Sequence, residues 1–137
     1  MVEQFVESHP SIKYLGFVDR KELSELVQNS RFLVFASQMY EVFPMVIAEA
    51  YASGIPVIAS RLGAMIELIR DGETGLLFNP GDANDLAVKV RWLWDHPEEA
   101  VRMGQNARRE YQQKYTPERN YQQLIEIYER AFMEKKI

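Results

Sequence analysis

RFLVFA, residues 31–36, sets five apolar residues behind a single arginine. A run this short is either a strand buried on both faces or a piece of buried helix, and periodicity alone does not separate the two. Its brevity, its valine and its two phenylalanines favour the strand. Strands covered on both faces belong to parallel sheets, whose crossover helices lie over both sides. The next such run is 55–59, containing PVIA. Residues 13–16 read as a short strand before these two, and 76–78 as another after them.

Helical patterns fill the intervals. Asp19 caps a helix over 20–29, with Glu22 completing a capping box and Leu23, Leu26 and Val27 as its apolar stripe. A helix over 44–53 opens on Pro44, tolerable only in a first turn, and stops at Gly54. Residues 64–69 form a short helix and RDGETG, 70–75, a turn. Asp82 caps a helix to about 94 that buries Leu86, Val90 and Leu93, a second starts near Pro97, and a third opens at Thr116–Pro117–Glu118. That third helix carries the stripe Tyr121, Leu124, Ile125, Tyr128 and Phe132. Residues 2–8 are a short helix or the end of a longer one. The alternation predicts an α/β fold with a doubly wound parallel sheet of about four strands. The helical tail, residues 82–137, covers the sheet or reaches to something else.

The 137 residues suffice for one domain, 1–137, with a real core. Twenty acidic against sixteen basic residues give a formal charge of −4. No strongly basic stretch points to nucleic acid. Without cysteine there is no disulfide or thiolate chemistry. His9 and His96 alone fall short of a zinc ligand set. There is no signal-peptide pattern and no apolar run of membrane-spanning length, so a soluble, cytoplasmic chain is expected, with a peripheral role at the inner membrane face left open.

EVFPMVIAE, residues 41–49, brackets an apolar segment with Glu41 and Glu49. Glu41 precedes Pro44 and overlooks the carboxyl edge of the sheet, where open α/β sheets bind ligands. The unpaired N–H groups of the helix start, with the helix dipole, favour a phosphate or diphosphate there. A carboxylate accepts hydroxyl hydrogen bonds from a ribose or a sugar. One ligand combining these chemistries is a sugar nucleotide. The competing reading is that Glu41 stabilises a helix start and Glu49 is a partly solvated surface residue.

The wider string EVFPMVIAEAYASGIPVIASRLGAMIELIRDGETGLLFNPGD, residues 41–82, resembles the nucleotide-sugar-binding half of family 4 (group 1) retaining glycosyltransferases. Their GT-B fold pairs two Rossmann-like domains. The resemblance rests on Glu41, Phe43, Glu49–Ala50, the SGIPVI segment at 53–58, Gly63 with Glu67, and Asp71–Gly72 with Gly75–Leu76. Residues 14–37 extend it. It implies that Glu41 contacts the donor sugar near the reaction centre and Glu49 the ribose. Phe43, Pro44, Met45 and Val46 would form the loop whose backbone donors meet sugar and diphosphate. Gly16, Phe17, Val18 and Lys21 would line the base, with Ser37 at the end of the strand leading in. Phe17 also reads as simple packing. Two positions depart from the family pattern. Pro44 stands where glycine is usual and has no N–H to donate, and Ala64 replaces a second glycine.

The implied activity moves a hexose, such as mannose or glucose, from a nucleotide diphosphate sugar to an acceptor hydroxyl with retention. The acceptor is a saccharide, a lipid-linked group or a small molecule. No cofactor is implied beyond the donor substrate, and no metal is expected because the chain has no D-x-D stretch. The resemblance also predicts that two strands of this half, their arginine and lysine, and the facing acceptor domain lie outside the chain. Arg20 and Arg61 do not match those basic positions. The isolated piece is then expected to be inactive and to expose a sheet edge prone to self-association. A sugar-nucleotide epimerase or hydrolase of the same fold, and a noncatalytic α/β binding module, are the alternatives. A dinucleotide oxidoreductase is disfavoured by the absence of G-x-G-x-x-G.

Overall fold

The computed structural model describes residues 2–40 and 44–135. Its elements run α1 (Val2–Glu7), α2 (Arg20–Gln28), β1 (Leu33–Phe35), α3 (Met45–Ala52), β2 (Val57–Ser60), α4 (Met65–Leu68), β3 (Gly75–Phe78), α5 (Ala83–Asp95), α6 (Pro97–Lys114) and α7 (Pro117–Glu134). The strands form one parallel sheet in the order β1-β2-β3, with Leu33 opposite Val57 and Val57 opposite Gly75. Parallel neighbours joined through helices are the Rossmann-like, doubly wound arrangement that the strand–helix alternation predicted.

Alternate residues of β2 and β3 feed two cores. Val57, Ala59 and Leu77 pack with Ile47, Ala50 and Tyr51 of α3 and with Ala107 of α6. Ile58, Leu76 and Phe78 pack on the other face with Leu93 of α5 and Met103 of α6. The expected caps are in place. The side chains of Asp19, Asp82 and Thr116 accept the N–H groups of Glu22, Asp85 and Arg119 at 2.8, 3.0 and 3.1 Å.

Two readings of the sequence need correction. Residues 13–16 form no strand, so the sheet has three strands among the described residues rather than about four. An extended segment becomes a strand only with a partner to take its backbone groups, and among the described residues none pairs with it. RFLVFA is not buried on both faces. Leu33 and Phe35 pack on the α3 side and Phe32 against the Leu93 core on the other, whereas Val34 is 40% exposed, because α5 and α6 pack mainly over β2 and β3. Of the two roles left open for the helical tail, α5 and α6 cover the sheet, whereas the stripe of α7 does not: Tyr121, Tyr128 and Phe132 are exposed, and among the described residues this helix packs chiefly on α6.

The turn RDGETG closes the outer edge of β3. The Gly75 carbonyl accepts the N–H of Gly72 at 2.8 Å, and Asp71 Oδ1 accepts the N–H of Leu77 at 3.0 Å. These are the outward-pointing backbone groups a further strand would otherwise take. Asp71 Oδ2 also meets Arg61 Nη2 at 3.1 Å, but both side chains are partly exposed and such pairs contribute little. Asp71→Ala is therefore expected to destabilise the protein by about 1–3 kcal/mol, mainly through the orphaned Leu77 N–H. Asp71→Asn, which keeps an acceptor, should lose less. Urea unfolding tests this, and an alanine variant with the wild-type midpoint would contradict it.

Candidate functional site

The helix start that faces the carboxyl edge of β1 belongs to α3. Pro44 is its N-cap, buried, with φ −71° and ψ 110°, one residue earlier than the first-turn position expected. Its carbonyl accepts the N–H of Ile47 at 3.1 Å, and no side-chain cap occupies the helix end among the described residues. The N–H groups of Met45 and Val46 thus open the helix, as a helix N-terminus requires. Glu41 and Phe43 lie outside the described residues.

Four residues on, Glu49 shares a helix face with Met45 and Ala52, and all three line a groove of about 900 Å³. The facing wall is the α6–α7 junction, including Lys114, Tyr115, Arg119 and Asn120. Arg20, at the first position of α2, reaches over the groove and places Nε 3.6 Å from Glu49 Oε1. Glu49 Oε2 is buried with no hydrogen-bond partner among the described residues. A buried carboxylate oxygen without a donor is a costly arrangement that a hydroxyl-bearing ligand would relieve.

The other cations of the groove are engaged. Lys114 Nζ meets Glu110 Oε1 at 3.0 Å, and the other oxygen of Glu110 meets Nε of Arg70, which does not line the groove, at 3.0 Å. Arg119 Nη1 donates to Gln122 Oε1 at 3.3 Å. Glu110 is only 3% exposed and anchors α6 to the turn after α4. Beside it the Tyr51 hydroxyl donates to the Leu68 carbonyl at 3.0 Å and lies 2.7 Å from Thr74 Oγ1. Burial pushes the Tyr51 phenol well above its ordinary range, with the Thr74 hydrogen bond opposing. These contacts tie α3 and α6 to the segment 68–74 between them.

The remaining sequence candidates do not line the groove. Ser37 Oγ accepts the N–H of Met39 at 3.2 Å, and the Ser37 carbonyl accepts from Ser60 Oγ at 2.5 Å, fastening the loop after β1 to the end of β2. Gly16 has φ +61°, and Phe17 is fully exposed, so the simple-packing reading of Phe17 does not hold. Val18 is half-buried and Lys21 exposed on the first turn of α2. Both histidines are local. His9 Nδ1 lies 2.8 Å from the Phe5 carbonyl, and His96, between α5 and α6, lies 2.7 Å from the Trp92 carbonyl. Sequence reasoning did not assign Arg20, Lys114 or Arg119 to the site. The helical spacing of Met45, Glu49 and Ala52 marks one wall, but nothing local marks the opposite one. Among the described residues no helix is long and apolar enough to cross a membrane.

Comparison with known proteins agrees with this architecture. Residues 4–110 match the family described as glycosyl transferases group 1. A D-rhamnosyltransferase of Pseudomonas aeruginosa is 36% identical over 108 residues, covering 77% of this chain and 28% of the relative. The sucrose-phosphate synthase of Thermosynechococcus elongatus superposes with a TM-score of 0.85 at 31% identity, covering 96% of this chain and 34% of that one. HepE of Anabaena, in complex with UDP and glucose, superposes with a TM-score of 0.84 at 25% identity, covering 93% of this chain and 35% of that one. The chain thus spans about a third or less of the length of these three proteins. With the family motifs in register from Glu41 to Asp82 and the match running over most of the chain, it belongs to the glycosyl transferases group 1 family.

Proposed function

We propose that the chain is the donor-binding α/β domain, spanning 1–137, of a retaining glycosyltransferase that moves a hexose from a nucleotide diphosphate sugar to an acceptor hydroxyl. The observation that carries this reading is Glu49, which lines the groove beside the α3 N-terminus and whose buried Oε2 has no partner among the described residues. Support also comes from HepE, a relative by fold and sequence that was crystallised with UDP and glucose.

On this reading the ribose hydroxyls donate to Glu49. The diphosphate lies against the N–H groups of Met45 and Val46, where the helix dipole favours the charge that develops on the leaving group. Pro44 donates nothing and instead fixes the chain entering the helix. Glu41 positions the transferred sugar, and Phe43 belongs to the same loop. Gly16, Phe17, Val18 and Lys21 border the base, and Ser37 shapes the loop after β1. The acceptor is held by a facing domain, through which any contact with the inner face of a membrane would be made from the cytoplasm.

Calorimetric titration of the protein with UDP, GDP and ADP, then with their sugar conjugates, tests the reading. Saturable binding of one nucleotide, strengthened by its sugar, is the expected result. Glu49→Ala should weaken that binding by roughly 1.5–3 kcal/mol through the lost charge-assisted hydrogen bond. Unchanged affinity in the folded variant, or no nucleotide binding by the wild type, would overturn it.

A further inference from the structure

We propose that Arg20 is a positioning residue of the nucleotide site: it holds Glu49 by Oε1 and leaves Oε2 as the acceptor for a ribose hydroxyl. This rests on the donor-site reading above. The carboxylate of Glu49 is divided between two environments. Oε1 lies 3.6 Å from Arg20 Nε, and Oε2 is buried without a partner among the described residues.

Arg20 stands where its own helix does not favour it. It follows the cap Asp19 and opens α2, whose N-terminal dipole disfavours cations. The reason for an arginine there is tertiary, and Glu49 on α3 is the group it meets. Its side chain is 82% exposed, so it spans the groove rather than filling a core. Lys114 cannot substitute because buried Glu110 holds it, and Arg119 is turned to Gln122. A pair this exposed adds little to stability. What it changes is the orientation of a carboxylate with several rotamers, which would otherwise be free to turn both oxygens to water.

The test compares UDP and GDP with their 2′,3′-dideoxy forms by calorimetry on wild type, Arg20→Ala, Arg20→Lys and Glu49→Ala. The wild type is expected to prefer the ribonucleotide by roughly tenfold or more, and Glu49→Ala to abolish that preference. Arg20→Ala should remove most of the preference while leaving dideoxynucleotide affinity and the unfolding midpoint unchanged, and Arg20→Lys should restore part of it. If Arg20→Ala keeps the full preference, or binds the ribonucleotide more tightly, the positioning role fails and the donor-site reading survives. If Arg20→Ala weakens both forms equally, Arg20 acts on the phosphates and the proposal is wrong. If the wild type binds neither nucleotide, or binds without ribose preference, the donor-site reading and this inference fall together.

Discussion

Gly104→Ala is expected to destabilise the protein by about 1–3 kcal/mol, as overpacking does, although glycine inside a helix is ordinarily improved by alanine. At an exposed helix interior that exchange would add about 1 kcal/mol of stability. Here a Cβ would sit 2.1 Å from the carbonyl oxygen of Gly54 and 3.3 Å from Pro56 Cδ. The obstacle is backbone, so no rotamer relieves it. Gly54 is itself constrained, with φ +71° where α3 turns into β2, a conformation that L side chains rarely adopt. Helix α6 must lift away from that turn and loosen its packing on α3, the layer that holds Ala50 and Ala107 at zero exposure. Urea denaturation reads the effect as a lower midpoint with an unchanged slope. An alanine variant as stable as the wild type would show that α6 can move without cost. Because the far end of α6 carries Lys114, the same shift would also widen the groove over Glu49.

The features that sequence reasoning could reach were local ones. Asp19, Asp82 and Thr116 announce their helices because a cap and its recipient lie three residues apart. The parallel sheet follows from β2, where Val57 through Ser60 are all buried. The apolar run at 31–36 pointed to the same sheet but overstated the burial of its strand, since hydrophobicity does not report which helices lie over each face. Residues 13–16 failed as a strand for a related reason: a ladder needs a neighbour, and pattern reports only the segment itself. At the site, Glu49 and Met45 were legible through helical spacing and family motif. Arg20 was not, because an ion pair between α2 and α3 is a product of packing. Gly104 was equally silent, since a close backbone approach leaves no trace in the residues around it.

Gly75→Ala is expected to have the larger effect, a loss of roughly 3 kcal/mol at the upper end of overpacking. Strand interiors also favour alanine over glycine by about 0.5–1 kcal/mol, so intrinsic preference again points the wrong way. The added Cβ would lie 2.0 Å from the Val57 carbonyl oxygen and 3.1 Å from the Val57 nitrogen. Gly54, which confronts Gly104, lies in a turn outside the strand ladder, so there helix α6 can lift away. Val57 sits in the central strand, hydrogen-bonded between β1 and β3 and fully buried, and has no room to yield. The start of β3 must therefore move outward by more than an ångström to regain ordinary contact distance, breaking ladder hydrogen bonds and straining the RDGETG turn that seals the sheet edge. Thermal unfolding should show the loss directly, and a variant with unchanged Tm would contradict it. Binding supplies the complementary measurement. β3 contributes nothing to the groove, whose walls are α2, α3 and the α6–α7 junction. The fraction of Gly75→Ala that remains folded should therefore keep whatever ribose preference the wild type shows, whereas Glu49→Ala should lose that preference without an equal loss of stability. Fold and site are thus separable along β3: a substitution there lowers the amount of folded protein without altering the carboxylate that the folded protein presents.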